Sequence, residues 1–78
     1  MEEIKEKIKN ILTVTMGVAD TEVTSDAHLS KDLGVDSLDF AELVMEFEQE
    51  FDIRIPCEEA EMLIYVKDVE EYVAKKLS

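Results

Sequence analysis

The run Ser37-Leu38-Asp39-Phe40-Ala41-Glu42-Leu43-Val44-Met45-Glu46-Phe47-Glu48-Gln49-Glu50-Phe51 carries the clearest periodicity in the chain. Phe40, Leu43, Val44, Phe47 and Phe51 fall on one face when each residue turns the chain by about 100°. The run therefore reads as an amphipathic helix over 37–51. Downstream, Pro56 interrupts the chain. Glu58–Leu63 then reads as a short helix, with acids in its first turn where the dipole favours them. Val66, Val69, Tyr72, Val73 and Leu77 mark a last helix. Upstream, Ile4, Ile8, Ile11 and Leu12 set an amphipathic helix over 2–16, with Gly17 as its stop.

Residues 18–36 lack sustained periodicity. So long a connection in a small domain is functional or hides a short turn. Val18, Val23, Leu29, Leu33 and Val35 are its expected core anchors. No segment alternates with the two-residue period of a surface strand, although Met62–Val66 is ambiguous. The expected fold class is all-α: a small four-helix bundle with a long first loop and a short third helix, forming one domain over residues 1–78.

Charge narrows the function. The 78 residues hold 20 acids and 8 bases, for a net charge of −12. Such a surface repels nucleic-acid backbones and anionic lipid. No apolar run is long enough for a membrane helix, so no membrane insertion is expected. Met1-Glu2-Glu3 is acidic where a signal peptide is basic. Cys57 is alone, which excludes an internal disulfide and a Cys-rich zinc site and fits a reducing cytoplasm. The 46% hydrophobic content separates the chain from an acidic disordered tail. A core this small supplies about 3–5 kcal/mol, and self-repulsion lowers it, so stability is expected to rise with salt or divalent cations. Ten acids and only Arg54 lie between residues 36 and 62, a concentration unlike scattered surface acidity.

The chemistry centres on Leu33-Gly34-Val35-Asp36-Ser37-Leu38-Asp39. Gly34 permits a tight turn. Asp36 is a good N-cap, and Asp39 completes a capping box with a shorter acid. Ser37 then lies at the first turn, near unpaired N–H groups and the positive end of the dipole, where an attached phosphate is well placed. Serine beside aspartate at a helix start is also an ordinary cap, and these residues alone leave both uses open. Leu38, Ala41 and Met45 point roughly 130° away from the core stripe. Glu42, Glu46, Glu48 and Gln49 surround them. An apolar stripe in an acidic rim suits basic partners. His28 is isolated, so no metal site is expected on it. No Gly-x-Ser-x-Gly elbow surrounds Ser37, which argues against a serine hydrolase, and the acids do not match a calcium-loop pattern.

Asp32-Leu33-Gly34-Val35-Asp36-Ser37-Leu38-Asp39 resembles the attachment motif of the acyl carrier proteins. Glu42–Phe51, Ile53, Ile55-Pro56 and Glu58-Glu59-Ala60-Glu61 are similar to the same family in order and spacing. The resemblance spans essentially the whole chain and is nearest the free-standing carriers of dissociated fatty-acid synthesis. It implies a carrier rather than an enzyme. Ser37 would bear covalent 4′-phosphopantetheine, transferred from coenzyme A by a phosphopantetheinyl transferase, and the arm would carry acyl groups as thioesters. Asp36, Leu38, Glu42, Met45, Glu48, Ile55, Glu58 and Glu61 would form the face that meets basic docking patches on fatty-acid-synthesis or related acyl-transfer enzymes. Leu43, Phe47 and Leu63 would line the acyl pocket. A cytoplasmic monomer is expected.

Three departures stand out. Cys57 replaces the aspartate that commonly caps the third helix in this family. With no cationic neighbour it is expected to be a buried or half-buried structural thiol. Phe40 and Phe47 are bulky for the family. Phe40 is expected to be core, and Phe47 to narrow the acyl cavity. Met62–Val66 is unusually apolar, which leaves open a specialised polyketide or amino-acyl pathway. An acidic protein–protein adaptor with Ser37 as a plain cap is the alternative from another class.

Overall fold

The structure, a computed structural model, describes residues 2–78; Met1, the first residue of the expected domain, lies outside them. Helix α1 spans Glu2–Met16, α2 Ser37–Phe51, α3 Cys57–Ala60 and α4 Val66–Leu77. The described residues thus form the expected all-α bundle, with a long first connection and a very short third helix. Gly17 ends α1 with a φ of 70°, and its N–H bonds Thr13 O at 2.9 Å. A residue with a Cβ is strained in that left-handed conformation.

The core is built from one stripe of each long helix. Ile8 and Leu12 of α1, Leu43 and Phe47 of α2, and Val69 and Val73 of α4 are each 1% exposed or less. The first loop adds Val23, Leu29, Leu33 and Val35, all buried as expected, and also Ala27, which periodicity does not reveal. Val18 only packs against the edge of this cluster. The loop hides a single 3₁₀ turn at Asp20–Glu22, where Glu22 accepts from the Ala19 N–H at 2.8 Å.

A one-residue antiparallel bridge, His28 to Tyr65, ties this loop to the segment before α4. Leu29 N–H bonds Ile64 O at 2.9 Å, and Val66 N–H bonds Ala27 O at 3.0 Å. This bridge corrects the reading of the third helix, which stops at Ala60 instead of continuing to Leu63. Met62 and Leu63 N–H groups make tight i→i−3 bonds to Glu59 and Ala60. Ile64 N–H turns instead to the Asp68 carboxylate at 3.0 Å. Backbone groups that a longer helix would use are thus committed to the loop and to the start of α4. Cys57 is also corrected: it is exposed, as the first residue of α3.

Helix α2 ends on Asp52, a left-handed residue with φ 53°. Aspartate is among the few residues that adopt this conformation at modest cost. The reversal carries the chain back so that Ile55 N–H meets Glu48 Oε2 at 2.8 Å. Ile55 itself is buried, at 6% exposure.

Candidate functional site

Gly34, with φ 72°, makes the turn that leads into α2. On either side of it Leu33 and Val35 are buried, and Val35 N–H bonds Leu29 O at 3.0 Å. The loop is therefore clamped immediately before the helix. Asp36 is the N-cap: its Oδ1 accepts from Asp39 N–H at 2.8 Å, and Asp39 Oδ2 accepts from Asp36 N–H at 3.4 Å. The expected capping box is formed. Capping thus falls to Asp36, and Ser37 is the first helical residue, with an exposed side chain.

A surface groove of about 460 Å³ opens at Ser37. Leu29, Val35, Phe40, Ala60, Leu63 and Ile64 supply its apolar wall, and His28, Ser30, Asp36 and Glu61 its polar edge. Of the expected acyl-pocket residues, Leu63 lies here. Leu43 and Phe47 lie instead in the bundle interior, each 1% exposed, where the acyl pocket was expected. Phe40 is a correction, because it lines the groove instead of filling the core. The signal was available, since Phe40 follows Ser37 by three residues and so shares its side of the helix. Ala60 and Ile64 gave no such signal, because the loop bridge brings them to the groove.

The exposed stripe of α2 is as expected. Leu38 is 83% exposed and Met45 58%, and Glu42 between them is exposed. Asp36, Glu58 and Glu61 are exposed too. Ile55, also expected on this face, is buried after the Asp52 reversal. Glu48 is half-buried and engaged with Ile55 N–H. Glu46 likewise accepts from Thr15 Oγ1 at 2.8 Å. The ion pairs of the described residues, Lys7–Glu50, Lys9–Asp20 and Lys76–Glu59, leave Asp36, Glu42, Glu58 and Glu61 without a cationic partner.

Leu63 also walls a second cleft, of about 660 Å³, between α3 and α4. There the Tyr72 hydroxyl donates to Glu59 Oε1. Desolvation, followed by the hydrogen bond and charge of Glu59 and the charge of Glu48, pushes the Tyr72 phenol up to about 12. Among the described residues no cluster of His, Cys, Asp and Glu is arranged to hold a metal ion. No described helix is long and apolar enough to cross a membrane.

Residues 6–73 match the family described as a phosphopantetheine attachment site. An acyl carrier protein of Amoebophilus asiaticus is 47% identical over 78 residues, covering 100% of this chain and 98% of its own. One from Akkermansia muciniphila is 51% identical over 72 residues, covering 92% and 90%. One from Thermotoga maritima is 43% identical over 76 residues, covering 97% and 94%. The groove and the exposed helix-start serine suit such a group: an anion fits the helix N-terminus, and a partly apolar arm fits the wall beside it. With the fold, the groove and near-full-length likeness in agreement, the chain belongs to the acyl carrier proteins, which are carriers bearing phosphopantetheine and not catalysts.

Proposed function

We propose that Ser37 Oγ is the attachment atom and that the chain carries acyl groups for fatty-acid synthesis in the cytoplasm. One observation carries this reading: an exposed serine, freed from capping by Asp36, sits at the mouth of an apolar groove. When bound, phosphopantetheine supplies a terminal thiol for acyl groups. The chain's own residues do the rest. The Asp36–Asp39 box holds the first turn of α2 rigid, so Ser37 is presented in one orientation. The N–H groups of that turn favour a phosphate at Ser37. Phe40 and Leu63 give apolar cover beside it.

Leu38 and Met45, rimmed by Asp36, Glu42, Glu58 and Glu61, form the surface for a phosphopantetheinyl transferase and for acyl-transfer enzymes with basic patches. Exposed charges of this kind raise the encounter rate more than they prolong residence. That suits a carrier that must leave each enzyme. A tethered arm also raises the local concentration of its cargo at a docked active site.

The test is intact mass after incubation with coenzyme A and a broad-specificity phosphopantetheinyl transferase. One phosphopantetheinyl group should add to the folded chain and none to Ser37→Ala. No gain on folded protein, or a gain that survives Ser37→Ala, overturns the assignment. The acyl group released from protein isolated from its own host tests the pathway: a fatty acyl chain is expected, and an amino-acyl or polyketide unit overturns it.

A further inference from the structure

His28 lines the groove that opens at Ser37, and its imidazole is held in a defined way. Nδ1 accepts two backbone N–H bonds, from Ser30 at 3.2 Å and Lys31 at 3.0 Å. A ring nitrogen that accepts cannot carry a proton, so the proton of the neutral ring is on Nε2. The ring is also packed edge-on against Tyr65, with centroids 5.2 Å apart. The backbone of His28 is pinned as well, by the Tyr65 bridge and by donation to Asp32 Oδ2 at 2.7 Å. With Nδ1 engaged as an acceptor, Nε2–H is the ring's remaining donor, on a residue that lines the groove.

The other polar groups there make this donor distinctive. Asp36 and Glu61 are carboxylates, which accept and do not donate at neutral pH. Ser30 offers a hydroxyl, a donor whose hydrogen rotates freely and is not fixed in direction, and Ser37 Oγ is esterified once an arm is attached. His28 supplies the one side-chain N–H among the residues lining the groove. The pantetheine arm contains two amides, whose carbonyls lose water if the arm lies along the apolar wall. Each needs a donor to offset that loss.

We propose that His28 is a positioning residue for the arm, its Nε2–H donating to an amide carbonyl of pantetheine laid in the Ser37 groove. The proposal rests on Ser37 being the attachment site. A neutral donor matches a neutral amide, and fixing the ring beforehand lowers the entropic cost of the contact. One such bond shifts the balance between groove-bound and free arm by roughly 2- to 12-fold.

The test uses the full-length holo-protein with a carbon-13-labelled pantetheine arm. Long-range proton–nitrogen NMR of the unmutated protein should show the Nε2–H tautomer, with the Nε2–H signal shifted between apo and holo forms. Nuclear Overhauser contacts should join the His28 ring to the arm. Two variants separate the arm contact from the local fold. His28→Asn keeps an acceptor at the δ position and removes the ε donor; it should retain the melting temperature and lose the arm contacts. His28→Gln places an N–H donor at the ε position without the δ acceptor; it should melt lower and keep the arm carbonyl shift of the unmutated holo-protein. The Nδ1–H tautomer, or an arm carbonyl shift identical in the unmutated protein and His28→Asn, overturns the proposal. Mass gain that survives Ser37→Ala overturns the attachment site and the proposal with it. Single attachment at Ser37 without His28 contacts overturns the His28 role alone.

Discussion

Phe40 and Phe47 stand two helical turns apart on α2 and are expected to respond very differently to truncation. Phe47 is 1% exposed and among the largest fully buried side chains. Phe47→Ala removes the ring from the closed core, at a cost of about 3–5 kcal/mol. The whole core of a domain this size supplies about 3–5 kcal/mol, so the variant should lose its cooperative fold at low salt. Phe40 is only partly buried, at the groove. Phe40→Ala forfeits about half the transfer free energy of a buried phenylalanine, or about 0.8–1.5 kcal/mol, and leaves no closed cavity because the groove is open to water. Urea unfolding followed by far-ultraviolet circular dichroism is the assay. Phe40→Ala should keep a single cooperative transition at a lower midpoint, and Phe47→Ala should show none without added salt. If the two variants unfold at the same midpoint, the division between closed core and groove wall is wrong.

Asp36→Ala should lower stability by about 1 kcal/mol through loss of the cap, and Asp36→Asn by only a few tenths; thermal melts check this, and equal melting temperatures for the two variants would refute the capping role. Glu48→Lys should lower the urea midpoint because Glu48 holds the Ile55 N–H, whereas Glu42→Lys, at an exposed position, should leave the midpoint near its original value and slow transfer by a basic partner enzyme most at low salt. Tyr72 is raised to about 12, so its neutral form favours the folded state; that contribution is complete below pH 10 and is lost as pH rises through 12. Tyr72→Phe should therefore flatten the fall in stability over that alkaline window, as read by urea midpoints at successive pH values.

The helix pattern was legible because it is local. Apolar spacing, Gly17 and the Asp36–Asp39 box each act within a few residues, and each took its expected place. The burial of Ile55 and the end of the third helix were missed for a different reason. Ile55 follows a left-handed aspartate that reverses the chain, and past α3 the Met62 and Leu63 N–H groups close tight local turns while Ile64 bonds the first loop and Asp68 of α4. Cys57, the first residue of α3, is exposed, whereas Ala60 at its end is buried.

The same division governs the candidate site. Ser37, its cap, and the Leu38–Glu42–Met45 stripe follow from short-range order, because neighbours on a helix are set by its pitch. The groove does not. Leu29 comes from the first loop and Ala60, Leu63 and Ile64 from the stretch 60–64, two segments joined by the His28–Tyr65 bridge. A bridge between residues 28 and 65 closes a long loop, and its register depends on how the helices pack, which no local pattern encodes. That is why Phe47, correctly placed on the apolar stripe, proved to be core, while Phe40 on the same stripe became a wall of the groove.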